Sequence, residues 1–277
     1  MKLFIKSLPQ LFLIVIVLVG FLLTLPVLKG EIRGTFLKNS IPVEYQELER
    51  FLHNEKTFSR VMWIPYSSRY SYFSLNHPIV QSQEYFKTTD LEEIIRELNN
   101  RNNIDTLAMS SIKYLIVPID VDREIFLTDR SYDDAKRKDL LQSLDTNPFI
   151  VKLEQFDGIT VYEIPQARAL FWNDVTNKPL ESEAISPVEY KVKNIKRGDR
   201  VVFTQSYDSG WKAISNDKEI SPEILDKQFM KFVFPNNASE VKIVYTPQNF
   251  VTIGLAVSLV TLGLLGAFLF YKAYKTR

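Results

Sequence analysis

Asp120-Val121-Asp122 stands directly behind the apolar run Tyr114-Leu115-Ile116-Val117-Pro118-Ile119, so two carboxylates at alternate positions leave the end of a buried strand. Nucleotide-sugar transferases hold a divalent cation through oxygen ligands in such an arrangement. Arg123 and Arg130 follow closely, and neither a Gly-rich phosphate loop nor an obvious third ligand accompanies the pair. Two carboxylates solvating a charged loop is therefore the competing reading. His53 and His77 are the only histidines, and any imidazole base would have to be one of them. His53 ends an amphipathic segment, where a cation complements a helix dipole. His77 closes a loop that carries Tyr66, Tyr70, Tyr72 and Phe73 among serines. Such groups suit stacking on a sugar, immersion in a lipid headgroup layer, or packing between modules. Trp211, behind Gly210, offers another aromatic platform; equally, Gly210 permits a bend and Trp211 fills the space between a sheet and its neighbour. Ser-Tyr-Asp-Ser-Gly-Trp at 206–211 lacks the pattern of a nucleophile elbow.

The composition narrows the chemistry further. Among 277 residues, 34 Lys+Arg face 33 Asp+Glu, which leaves no broad electrostatic case for nucleic acid. Cysteine is absent, so disulfides, zinc-thiolate sites and a cysteine nucleophile are excluded together; this fits an extracytoplasmic bacterial protein. No cofactor is implied beyond a divalent cation at Asp120 and Asp122.

Two apolar runs frame these groups. The first, 11–28, follows Lys2 and Lys6, is longer than a signal-peptide core and has no Ala-x-Ala-like cleavage site behind it, so it reads as an uncleaved anchor. The second, 250–271, carries no charge and is followed by Lys272, Lys275 and Arg277. Cations outside both runs put both termini in the cytoplasm and residues of about 30–249 outside. Within the second run Gly254 and Ser258, and again Gly263 and Ala267, stand four apart and form small-residue notches where another helix could dock.

Between the runs the texture changes once. Residues 30–165 alternate helical and buried-strand patterns: a helix over about 42–53, a strand at 61–64, a helix opened by an Asp90/Glu93 capping box, a strand at 113–118, a helix through Leu140 and Leu144, and a hairpin around Asp157-Gly158. Residues 166–249 hold only short strands broken by Asn, Asp, Gly and Pro, the pattern of an antiparallel sandwich. The expected class is an α+β membrane protein with an anchor helix (1–29), an α/β module (30–165), a β-sandwich (166–249), a transmembrane helix (250–271) and a tail (272–277). The sandwich ends within about four residues of the span, roughly 14 Å of extended chain, so it must sit on the bilayer.

In order, Ile-Pro-Val-Glu-Tyr-Gln-Glu-Leu-Glu-Arg-Phe-Leu (41–52), Arg-Val-Met-Trp-Ile-Pro (60–65), Lys-Tyr-Leu-Ile-Val-Pro (113–118), Val-Tyr-Glu-Ile-Pro (161–165), Tyr207 to Ala213 and Tyr245-Thr246-Pro247 with the span behind it resemble the C-terminal part of YfhO-like bacterial membrane proteins. The sharpest element is the 207–213 segment coupled to 245–247. After Trp211-Lys212-Ala213 the sequence departs from that pattern, with Ile214-Ser215-Asn216-Asp217 where an aromatic and an Asp-Gly turn are usual. The resemblance implies kinship with GT-C glycosyltransferases, which generally use polyprenyl-phosphate sugars and keep the catalytic carboxylate on an early external loop beside a bundle of spans. It therefore implies a detached C-terminal module rather than the enzyme. The reading that follows is a non-catalytic, membrane-anchored module whose partners are the lipid bilayer, a multi-span glycosyltransferase subunit and a glycan or polyprenyl-linked sugar. A small glycan-active enzyme using Asp120 and Asp122 is the alternative, and a gene fragment without independent function the third.

Overall fold

In a computed structural model, residues 15, 18–25, 41–68, 70–119, 134–226 and 228–275 are described. The backbone divides into Met1–Pro42 and Val43–Arg277. In the first unit the described residues 15 and 18–25 are helical; the rest of the expected anchor lies outside the described residues.

The second unit begins with α1 (Val43–Asn54), whose Tyr45, Leu48 and Leu52 recur on one face and are buried. A five-stranded mixed sheet follows, built from β1 (Arg60–Trp63), β2 (Ile79–Gln81), β3 (Ile112–Val117), β4 (Val151–Phe156) and β5 (Ile159–Glu163) in the order β2-β1-β3-β5-β4. β1 runs parallel to both β2 and β3, whereas β5 is antiparallel to β3 and β4. Side chains alternate across a strand, so Val61 and Trp63 join Tyr114, Ile116 and the buried face of α1. Met62 and Ile64 point the other way, with Leu115 and Val117, into a layer made by α3 (Leu91–Leu98), α4 (Arg101–Met109) and α5 (Asp134–Asp145). A short α2 (Ser82–Phe86) follows β2 directly. The hairpin turn is where the sequence places it: Phe156 pairs Ile159 around Asp157 and Gly158, both at positive φ.

At α3 only half of the expected capping box forms. Asp90 Oδ1 accepts from the Glu92 amide at 3.0 Å. Glu93 does not return to the Asp90 amide, because its Oε2 accepts from the Thr88 hydroxyl at 2.6 Å and its Oε1 meets Arg96 at 3.1 Å. One strong acceptor has gone to two better-placed donors.

Two all-antiparallel sheets complete the unit. One has the order β13-β14-β10-β6-β7, with β6 Phe171–Asn173, β7 Lys178–Pro179, β10 Arg200–Ser206, β13 Glu223–Leu225 and β14 Phe229–Val233. The other has the order β12-β11-β15-β9-β8, with β8 Ser182–Ser186, β9 Glu189–Ile195, β11 Trp211–Ser215, β12 Lys218–Ile220 and β15 Ala238–Tyr245. Their inner faces interdigitate: Phe171, Phe203, Met230 and Phe232 meet Tyr190, Val192, Ala213, Val241 and Ile243. This is the expected sandwich. The outer face of the first sheet is covered too, since Trp172, Val202 and Phe229 pack with Met109 at the end of α4. Below β15, α6 (Gln248–Lys275) emerges as the one described helix long and apolar enough to cross a membrane; Gln248–Leu269 forms the span, with none of its hydrophobic window buried.

Candidate functional site

The residues that join sandwich to span are few and tightly constrained. Trp211 opens β11 opposite Tyr245, the last residue of β15. Asp208 precedes them in a turn where its Oδ1 accepts from the Gly210 amide at 2.7 Å, its Oδ2 accepts from the Tyr245 hydroxyl at 3.0 Å, and its carbonyl accepts from the Trp211 amide at 3.2 Å. The Gly210 carbonyl then accepts from both the amide and the hydroxyl of Thr246, each at 2.9 Å. A β-carbon on Gly210 would lie 2.8 Å from Pro247 Cγ and 2.8 Å from Tyr245 Cε2. Only glycine permits that approach. Pro247 comes just before α6, where its missing amide costs nothing, and the carbonyls of Thr246 and Pro247 accept from Asn249 and Phe250 at 3.1 Å each. The first turn of the membrane helix is thus built on a clamp made by Asp208, Gly210, Tyr245, Thr246 and Pro247. Hydrogen bonding to Asp208 raises the Tyr245 phenol above its ordinary pKa, so it donates throughout the neutral range.

Trp211 is 8% exposed and sits inside this assembly, not on a platform. Its ring meets Phe203 edge-on at 4.9 Å and Tyr245 at 5.3 Å, and Phe203 stacks on Phe171 at 4.5 Å. Aromatic contacts of this kind are worth about 0.5–1.5 kcal/mol each beyond area burial. They run from the clamp into the sandwich core.

The other expected site residues lie elsewhere in the unit. Tyr70 packs on Tyr45 at 5.5 Å, and the Tyr72 hydroxyl is 3.4 Å from His53 Nδ1, so both belong to the α1 face of the mixed sheet. His77 is 2% exposed. Its Nε2 donates to the Glu55 carbonyl at 3.0 Å, and its Nδ1 lies 3.1 Å from Ser59 Oγ; both ring nitrogens are spent within the chain. The structure does not bring Trp211 together with these three. Asp120 and Asp122 lie outside the described residues. Among the described residues no group of three or more His, Asp or Glu side chains is placed to hold a metal. On α6, a β-carbon at Gly254 or Gly263 would meet nothing within 4 Å, and the Ser258 hydroxyl donates to the Gly254 carbonyl at 2.8 Å. The notches are open.

Sequence reasoning missed a polar centre around Glu55. Its Oε2 accepts from Lys113 Nζ at 2.8 Å and from the Tyr114 hydroxyl at 3.1 Å, while Oε1 accepts from the amide and hydroxyl of Thr57 at 3.1 and 2.6 Å. Burial works to raise the Glu55 pKa, but the hydrogen bonds from Lys113 and Thr57 and the Lys113 charge outweigh it and bring it from 4.5 to about 2. Lys113 also lies 3.8 Å from Glu163, beside a cavity of about 410 Å³ lined by Thr57, Arg168, Trp172 and Asn177 among others. The signal was present in Ile112-Lys113-Tyr114-Leu115-Ile116-Val117: a lysine inside an otherwise apolar buried strand needs an acidic partner.

The clamp and the residues behind it fall within a recognised stretch. Residues 152–258 match the family model described as bacterial membrane protein YfhO. This region is YfhO-like. The match runs from the β4–β5 hairpin through both sheets of the sandwich and the clamp into the first turns of the span. No match was found among curated proteins or solved structures. The chain is a membrane protein with a YfhO-like C-terminal region and an apolar helix fit to cross the bilayer.

Proposed function

We propose that this protein is a non-catalytic, membrane-anchored module, exposed outside the cytoplasmic membrane, that works with a multi-span partner in assembling envelope glycans or glycolipids. The observation that carries the reading is the clamp. Asp208, Gly210 and Tyr245 hold Thr246 through hydrogen bonds of 2.7–3.0 Å, and the carbonyls of Thr246 and Pro247 accept from Asn249 and Phe250 in the first turn of α6 at 3.1 Å, so a helix docked in the membrane and a sandwich docked outside it would share one support. The YfhO-like character of this stretch supports the link to a multi-span protein, and the open faces at Gly254, Ser258, Gly263 and Ala267 give a partner helix a place to pack. In this reading two spans put both termini inside, and residues 30–249 face outward.

The test uses the cysteine-free sequence. Gly254→Cys and Gly263→Cys chains, carrying a photoactivatable cross-linker in native membranes, should give adducts with a multi-span polypeptide, and Leu255→Cys on another face should not. Adducts with lipid alone at all three positions, together with a purely monomeric chain in mild detergent, would sink the proposal.

A further inference from the structure

The clamp fixes which end of the sandwich faces the bilayer, and that end has a distinctive surface. The Tyr245 amide donates to the Val188 carbonyl at 3.0 Å, so the β8–β9 turn lies beside the root of α6. The Tyr207 amide donates to Gln228 O at 2.7 Å, which brings the end of β10 and the start of β14 to the same rim, three residues from Gly210. On this rim Ile185 is 44% and Tyr207 38% exposed, and Phe250, in the first turn of α6, is 78% exposed. Of the charges there, Glu189 pairs with Lys242 at 2.9 Å, Asp208 accepts from the neutral Tyr245 hydroxyl, and Asp226 stands exposed in the β13–β14 turn. The opposite end of the sandwich is set by the pairing of Asn173 with Val201, at the start of β10. That is about 20 Å away along the strand, and it carries the exposed Val175 in the β6–β7 turn.

We propose that the rim formed by Ile185, Tyr207 and Phe250 beds in the headgroup layer of the bilayer that α6 crosses. The headgroup zone is about 5–8 Å deep on each side of the hydrocarbon core, and hydrogen bonds tie the rim to the root of the span: Tyr245, three residues before α6, bonds to Val188, three residues from Ile185, and Tyr207 stands three residues from Gly210, which holds Thr246. An aromatic ring with a polar tip and isolated apolar side chains suit that zone. The three seating side chains are aliphatic, phenolic and aromatic, so the contact is apolar rather than electrostatic and indifferent to anionic lipid. This seating requires only that α6 spans the membrane and is independent of any protein partner.

Ile185→Cys, Tyr207→Cys and, as the distal control, Val175→Cys chains are each labelled with an environment-sensitive fluorophore. The purified full-length proteins are placed in phosphatidylcholine nanodiscs containing a lipid with a shallow nitroxide quencher. Emission at 185 and 207 should fall roughly twofold while that at 175 stays unchanged, and the pattern should persist with phosphatidylglycerol added or in about 0.5 M salt. Equal quenching at all three positions, or none at 185 and 207, overturns the seating. Quenching that disappears in salt overturns its apolar basis. Because no partner is present, these outcomes are read separately from the cross-linking result.

Discussion

Gly210 carries no chemistry, yet its missing β-carbon allows Tyr245 and Pro247 to close on the turn at van der Waals distance. Gly210→Ala should lower unfolding stability by about 1–3 kcal/mol, the usual range for overpacking, as measured by thermal denaturation in nanodiscs. Gly254→Ala, on a helix face with nothing within 4 Å, should leave stability unchanged or slightly raised. Equal effects at the two positions would mean that the clamp is not tight. Glu55 makes a second prediction, in pH. Its folded pKa is held at about 2 against an ordinary 4.5, so the unfolded chain binds its proton first as pH falls. The stabilising contribution is complete above about pH 4.5 and is lost through the window down to about 2. Glu55→Gln should flatten the acid limb of the stability profile in that window and cost stability at neutral pH. An unchanged acid limb would show that the network with Lys113 and Thr57 does not hold the charge.

Single elements show where a sequence speaks and where it falls silent. The β11–β12 connection is Asn216-Asp217 between Ser215 and Lys218, with both turn residues left-handed at φ 49° and 61°. This is the geometry that favours Asn-Gly in two-residue hairpins. Asp217→Gly should therefore be tolerated, whereas Asn216→Val should cost about 1–2 kcal/mol, because a β-branched residue pays the full left-handed penalty; chemical denaturation of the two variants separates them. The sandwich strands β6, β9, β10, β11, β14 and β15, the span, α1 and the Asp157-Gly158 hairpin were legible because period and turn chemistry agreed in each, whereas the edge strands β7, β8, β12 and β13 are too short or too polar to show a period. α4 was not, because its polar opening Arg101-Asn102-Asn103 masks the buried set Ile104, Leu107 and Ala108. Asn100 was its available signal, since its side chain accepts from the Asn102 amide at 3.0 Å. β2, three residues long, offers too little pattern to show a period. At the candidate site, the 207–213 and 245–247 segments were visible in the sequence as a pair, but their meaning was not. That Asp208 grips Tyr245 while Gly210 receives Pro247 depends on strands brought together across 37 residues of chain, which no local pattern encodes.

Within Val43–Arg277 the helix-bearing layer and the sandwich are joined by buried polar contacts as well as by Met109. Arg60 donates to the carbonyls of Ser110 and Thr204, the latter at 3.1 Å, and lies over Phe58 at 5.4 Å. It has no carboxylate within ion-pair distance among the described residues, and burial lowers its pKa to about 10, so it still enters the interface charged. The Thr204 hydroxyl meets the Ser111 hydroxyl at 2.6 Å and lies 3.3 Å from the Leu170 carbonyl. One threonine on the outer face of β10 thus meets Ser111 in the turn before β3, Arg60 at the start of β1 and a strand-entry carbonyl of the sandwich. Thr204→Val keeps the shape and removes the hydroxyl, leaving buried Ser111 short of a partner; the expected loss is about 1–3 kcal/mol. Ser111→Ala should cost a comparable amount. The double variant decides the matter, because removing both hydroxyls leaves no orphan, and its cost should fall below the sum of the singles by at least about 0.5 kcal/mol. If the contact couples the two layers, both single variants should also expose the 165–170 connection to proteolysis, with the double variant partly protected. Strict additivity with unchanged proteolysis would mean that apolar packing through Met109, Trp172 and Phe229 holds the layers together unaided.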